Sequence, residues 1–200
     1  MAGQRIGILG GSFDPIHIGH LIVANDALEQ LELDRVLFIP AAAAPLKPKA
    51  HHATAEDRLA MTQLAIATDD RFEARDLEIA RGGESFSIDT ARAIASEFPD
   101  AALFWIIGGD QAEQLAKWHR IEALSETVAF ICFDRGQRFE RSTSLPDSIA
   151  IHALKPRRID VSSTEIRERL KSGHGAKYFL PDGVLSYIKA RNLYTERGSA

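Results

Sequence analysis

The chain has 200 residues, 45% of them hydrophobic and 26% charged, with a formal net charge of −4, which is enough apolar content for a sizeable core in one domain. The acidic balance excludes a general nucleic-acid or membrane-coating surface, so an anionic substrate must be met by local positive charge. The single cysteine, Cys132, excludes an internal disulfide framework, no signal-peptide pattern precedes the first apolar run, and no run has bilayer length, so a cytoplasmic protein is expected.

Arg5 to Leu9 is a short apolar run of the kind that forms a buried strand. Gly10-Gly11-Ser12-Phe13-Asp14-Pro15 follows as a glycine turn in which backbone can approach a ligand closely. Ile18, Leu21, Ile22 and Leu28 recur with helical period, predicting a helix to about Glu32, with His17 and His20 at or just inside its N-terminus, one turn apart on one face. Arg35 to Ile39 reads as a second strand stopped by Pro40. The segment from Ala41 to His52, an alanine run flanked by prolines and carrying Lys47, reads as an extended loop at the carboxyl end of a strand, where open α/β sheets bind ligands.

Thr54 and Asp57 mark a helix start, with Leu59, Leu64 and Ile66 on its apolar face. A strand is predicted over Phe72 to Ile79. Gly82 and Gly83 then break the chain before Ser85-Phe86-Ser87, which leads into a helix carrying Ile88, Ala91, Ile94 and Ala95 and stopping at Pro99. Ala102 to Ile107 is a continuous apolar run, as in a strand covered on both faces, and it ends in Gly108-Gly109-Asp110. A short helical stretch around Leu115 reaches Trp118, and Ile121 to Ser125 leads to a strand over Val128 to Phe133, closed by Asp134-Arg135-Gly136. Gln137 to Ser148 reads as a loop and Ile149 to Leu154 as the last strand. A helix opens at Val161-Ser162-Ser163-Thr164 and ends near Gly173, and a terminal helix runs from about Pro181 to Asn192 with Val184, Leu185 and Ile188 buried. Strands alternating with helices read as βαβ units, hence an α/β fold with a doubly wound, mostly parallel sheet. Residues 1–155 are expected to form its core and residues 156–200 a small helical part of the same single domain.

Four arrangements carry chemistry. A helix N-terminus offers free N–H groups and a partial positive charge to phosphate, and the imidazoles of His17 and His20 can stabilise charge that builds as a phosphate chain is cleaved. Ser162-x-x-Glu165 is a capping box; with Ser163 and Thr164 beside it and the guanidinium fork of Arg167 one turn in, the same helix start can hold phosphate oxygens. Gly108-Gly109-Asp110 either caps a helix or brings backbone and a carboxylate to a ribose. Trp118 either packs in the core or offers a flat face to a pyridine or adenine ring.

Gly11-Ser12-Phe13-Asp14-Pro15 with His17-Ile18-Gly19-His20 resembles the HxGH signature of the nucleotidyltransferase superfamily, and Ser162-Ser163-Thr164-Glu165-Ile166-Arg167 resembles its SSTxIR signature, which grips the ATP triphosphate opposite HxGH. The resemblance implies a Rossmann-like nucleotidyltransferase fold and adenylyl transfer from ATP, with His17, His20 and Arg167 catalytic. ATP contacts are implied for Gly10, Gly11, Ser12, Phe13, His17, His20, Asp110, Ser162, Ser163, Thr164 and Arg167. Pro45-Leu46-Lys47, Ser85-Phe86-Ser87, Asp110 followed by Trp118, and the complete last motif are similar to the bacterial nicotinate mononucleotide adenylyltransferases. In that family the position of Trp118 stacks on the pyridine ring, that of Ser87 meets the nicotinate carboxylate, and Lys47 and Arg135 would hold the mononucleotide phosphate. Ser87 stands where threonine is commoner and keeps the hydroxyl. The implied partners are the small molecules ATP and nicotinate mononucleotide, with no nucleic acid or membrane. Mg²⁺ is expected to arrive with ATP, since the sequence has no carboxylate cluster suited to a metal cage. Phosphopantetheine or nicotinamide mononucleotide as second substrate, and a nucleotide-binding regulator without turnover, are the alternatives. Trp118 and the SSTxIR spelling weigh against phosphopantetheine, and the intact His17, His20 and Arg167 against the regulator.

Overall fold

The alternation of short apolar runs with helices gives six strands side by side in one sheet in the computed structural model, which describes residues 3–42, 51–133, 141, 145–155, 157 and 159–195. In chain order the elements are β1 (Arg5–Gly11), α1 (Ile18–Gln30), β2 (Arg35–Pro40), α2 (Ala55–Ile66), β3 (Phe72–Ala74), α3 (Leu77–Arg81), α4 (Ser87–Glu97) and β4 (Ala102–Gly108). There follow α5 (Gly109–Ala112), a 3₁₀ turn (Leu115–Lys117), α6 (Ile121–Ser125), β5 (Ala129–Phe133), β6 (Ile151–Ala153), α7 (Ser163–Lys171) and α8 (Asp182–Arg191). The strand order is β3-β2-β1-β4-β5-β6 with every neighbouring pair parallel. Winding therefore reverses between β1 and β4, and the loops leaving those two strands diverge to leave a crevice at their carboxyl ends.

Side-chain alternation along each strand splits the core in two. Leu9, Val36, Phe38, Phe104, Ile106 and Ile131 face one side, where Val23, Ala27 and Leu28 of α1, Met61 of α2, Ile166 of α7 and Val184 and Ile188 of α8 cover them. Ile6, Ile8, Leu37, Trp105, Ile107 and Phe130 face the other, under Ile88, Ala91 and Ile94 of α4 and Leu124 of α6. Both faces are thus dry, which is why β4 reads as an unbroken apolar run. Each fully buried Ile or Phe contributes about 1.5–3 kcal/mol.

The expected strand over Phe72 to Ile79 is overturned in its second half. Among the described residues β3 is an edge strand that pairs only with Val36–Phe38, and the Arg75 N–H makes a bond to the Phe38 carbonyl at 2.9 Å just past the strand's end. Asp76, poorly suited to a strand, then leads into α3. The last two strands are shorter than expected: β5 begins at Ala129 and β6 spans Ile151–Ala153.

Candidate active site

The turn between β1 and α1 is held in one conformation. His17 caps α1: its Nδ1 accepts the Gly19 N–H at 3.2 Å, and the Nδ1 of His20 accepts the His17 N–H at 3.2 Å, a reciprocal capping box made by two imidazoles. Their ring centroids lie 3.8 Å apart. A neutral imidazole that accepts at Nδ1 carries its proton on Nε2, so both rings donate from Nε2. Gly19 suits this spacing, because a Cβ there would sit 3.0 Å from the His17 ring, closer than ordinary contact. Phe13, in the left-handed region at φ 47°, is held there by burial of its ring, edge-on to His20 at 5.1 Å and beside Phe38 at 5.9 Å; its side chain belongs to the core, so only its backbone can meet a ligand.

The start of α7 docks on this turn. Ser162 caps α7 through Oγ, which accepts the Glu165 N–H at 3.2 Å. Ser163 Oγ donates to the Pro15 carbonyl at 2.8 Å, and Arg167 donates to the Asp14 carbonyl at 2.6 Å and to Thr164 Oγ1 at 3.1 Å. Ser162 and Thr164 accept in these bonds and keep their hydroxyl protons to donate, whereas Ser163 has given its own to Pro15 and can meet an anion only through its backbone N–H.

Two cavities open at the carboxyl edge of the sheet, one on each face, and both border the same turn. The first, about 610 Å³ of atom-free space that includes open solvent, lies against His17, His20, Val23, Phe133, Leu154 and Ile159. Its apolar walls suit an aromatic base, with the imidazoles on its rim. Arg157, also in its lining, is anchored to the buried Asp26 by bonds of 2.7 and 3.1 Å. The second is a cleft of about 1120 Å³, part of it open to solvent, bordered by Gly10, Gly11, Ser12, Ser87, Trp118 and Glu78. Trp118 stands edge-on to Trp105 at 6.4 Å and to Phe130 at 6.3 Å, and its buried indole N–H meets no acceptor among the described residues.

Asp110 is exposed and lines neither cavity; a Cβ on Gly108 would come within 2.6 Å of its carboxylate, which would have to move aside. Lys47 and Arg135 lie outside the described residues. Sequence reasoning missed Glu78, which borders the cleft from α3, and the tilted ring pair of Phe86 and His119, 4.4 Å apart, which lines it. The Ser85-Phe86-Ser87 entry was a signal for the latter, while Glu78 was hidden in the expected strand.

Asp14 ties the turn to the rest of the fold. Its carboxylate, buried to 4% exposure, accepts the N–H groups of His52 at 2.7 Å and Ala53 at 3.1 Å and the Tyr194 hydroxyl at 2.7 Å. Beside it the buried Arg58 donates to the Ser12 carbonyl at 2.8 Å. Burial pushes the Arg58 guanidinium down and the Asp14 carboxylate pulls it up.

A family model described as cytidylyltransferase-like matches residues 8–169. A probable nicotinate-nucleotide adenylyltransferase of Opitutus terrae is 44% identical over 192 residues, covering 96% of this chain and 98% of that protein. One of Gemmatimonas aurantiaca is 42% identical over 204 residues, covering 98% and 96%. Among solved structures, Plasmodium falciparum nicotinic acid mononucleotide adenylyltransferase complexed with NaAD superposes with a TM-score of 0.76 at 22% identity, over 96% of this chain and 97% of that one. At that identity the likeness speaks for the fold.

Proposed function

The chain belongs to the cytidylyltransferase-like family, with full-length relatives named nicotinate-nucleotide adenylyltransferases, and from that premise we propose that it transfers the adenylyl group of ATP to nicotinate mononucleotide. The products are deamido-NAD and pyrophosphate, a step of NAD biosynthesis. A phosphate oxygen of the mononucleotide attacks the α-phosphorus of ATP in line, the bond from that phosphorus to the bridging oxygen breaks, and pyrophosphate leaves with the electron pair. A phosphate monoester is already an anionic nucleophile, so no covalent enzyme intermediate is needed. Alignment of two bound substrates can supply about 7–11 kcal/mol, and each well-aimed donor about 3–4 kcal/mol.

In this reading adenosine takes the cavity beside α1, with Asp110 toward its ribose, and the pyridine nucleotide takes the larger cleft. The Nε2–H groups of His17 and His20 stabilise charge on the reacting α-phosphate. Gly10, Gly11, Ser12 and the backbone of Phe13 border both substrates. Ser162, Ser163, Thr164 and Arg167 hold the β and γ phosphates as they depart. Trp118 stacks on the pyridine ring, the first turn of α4 at Ser87 receives its carboxylate, and Lys47 and Arg135 hold the mononucleotide phosphate. Mg²⁺ would be held on the ATP phosphates, where it would offset their charge; among the described residues no group of three or more His, Cys, Asp or Glu side chains is gathered. The reaction is assigned to the cytoplasm; among the described residues no helix is long and apolar enough to cross a membrane.

The observation that carries the reading is the docking of α7 on the β1–α1 turn through Ser163 and Arg167, which joins the two phosphate-directed motifs in one place. The test is pyrophosphate release with ATP and Mg²⁺, comparing nicotinate mononucleotide, nicotinamide mononucleotide and phosphopantetheine. Preference for the nicotinate substrate is expected. Preference for nicotinamide refutes the carboxylate assignment at Ser87, and release with phosphopantetheine alone refutes the substrate class.

A further inference from the structure

Glu78 is a carboxylate where packing would favour an apolar side chain. It is only 4% exposed, borders the larger cleft, and has Leu77 and Phe86 nearby in the chain packed on the apolar core of that face. Burying a charge there is unfavourable unless its bonds do something an apolar residue could not. Those bonds join three segments. The Thr90 hydroxyl, from the first turn of α4, donates to Glu78 at 2.8 Å. The Ser85 side chain also interacts with Glu78, and its oxygen accepts the Ala42 N–H at 3.0 Å. Arg81, on α3 with Glu78, donates to Thr90 at 3.3 Å. One side chain thereby anchors the exit of β2, α3 and the start of α4. That last start carries no side-chain cap, since Phe86 stands at the N-cap position.

We propose that Glu78 is a positioning residue for the pyridine substrate: by holding Ser85 and Thr90 it fixes the two sides of Ser87, so that the first turn of α4 meets the ring carboxylate in one geometry. The inference rests on the function proposed above. A binding group held by its neighbours keeps its place to a fraction of an ångström, and displacement by about 1 Å is enough to lose roughly 100-fold in activity. Burial pushes the Glu78 carboxyl above its ordinary value, while Ser85, Thr90 and the Arg81 charge pull it back, in keeping with a group retained for its bonds.

The test is steady-state kinetics with each substrate varied in turn. Glu78→Ala is expected to raise KM for nicotinate mononucleotide about tenfold or more, with KM for ATP within about twofold and kcat within about threefold. Ser85→Ala, which leaves Glu78 and Thr90 in place, is expected to raise the same KM about threefold. Glu78→Gln keeps an acceptor oxygen and is expected to stay within about threefold of wild type. A parallel rise of both KM values, an unchanged nicotinate KM in a folded Ser85→Ala protein, or a loss in Glu78→Gln equal to that in Glu78→Ala overturns the proposal. Wild-type protein without turnover on nicotinate mononucleotide overturns the function itself, whereas wild-type turnover with unmoved variants overturns only the role of Glu78.

Discussion

Removing the Asp14 carboxylate should unfold the site before it alters its chemistry. Asp14→Ala strands three donors, the backbone N–H groups of His52 and Ala53 and the Tyr194 hydroxyl. The two N–H groups lie just before Thr54, the cap of α2, and cannot rotate away. A buried donor left without its acceptor costs about 1–3 kcal/mol; with water reaching the part-buried groups, the total is about 3–5 kcal/mol. That is a large share of a typical stability of about 5–15 kcal/mol. With an m-value of about 2 kcal/mol/M, the urea midpoint should fall by about 1.5–2.5 M, followed by fluorescence of Trp105 and Trp118. Asp14→Asn keeps one acceptor oxygen and sets its amide against a donor, for a loss of about 1.5–3 kcal/mol, and Tyr194→Phe deletes one bond, for about 1 kcal/mol. Because Asp14 and Tyr194 share a bond, the double variant should lose less than the two single losses combined. A loss under about 1 kcal/mol in Asp14→Ala, or full additivity, would refute the reasoning.

Arg167→Ala should lower turnover by two to three orders of magnitude, about 3–4 kcal/mol, and Arg167→Lys should fall between, keeping the charge without the fork; pyrophosphate release measures both, and near wild-type turnover would remove Arg167 from the reaction. His20→Ala should lower turnover to a similar extent, while the lost capping bond takes about 1 kcal/mol of stability, so a urea midpoint separates the two effects. Burial, and then the bond to Asp14, raise the Tyr194 phenol above its ordinary 10.0. Above pH 10 the unfolded chain releases this proton and the folded one keeps it, so stability is full below pH 10 and falls as pH rises beyond it. Urea midpoints between pH 9 and 11 should show a shallower fall in Tyr194→Phe than in wild type.

What the sequence by itself determined is local. Thr54 and Ser162 cap their helices on the N–H groups of Asp57 and Glu165, because a cap depends on residues three apart and on nothing else. His17 and His20 meet for the same reason. The apolar runs set the strands and their order along the chain, since each must bury both faces, and the motif likeness named the family. Tertiary structure decided what depends on neighbours far along the chain. Among the described residues β3 has only β2 as a partner and stops at Ala74, and residues that a strand reading would have alternated became a helix that buries Glu78. The Phe13 ring is buried in the core, and Ser163 is committed to Pro15, 148 residues away in sequence. Those two motifs touch because winding reverses between β1 and β4 and brings the end of one strand beside the helix that follows the last. No residue within a few positions of either motif carries that information; it lies in which strand pairs with which, a choice settled only when the whole sheet closes its core.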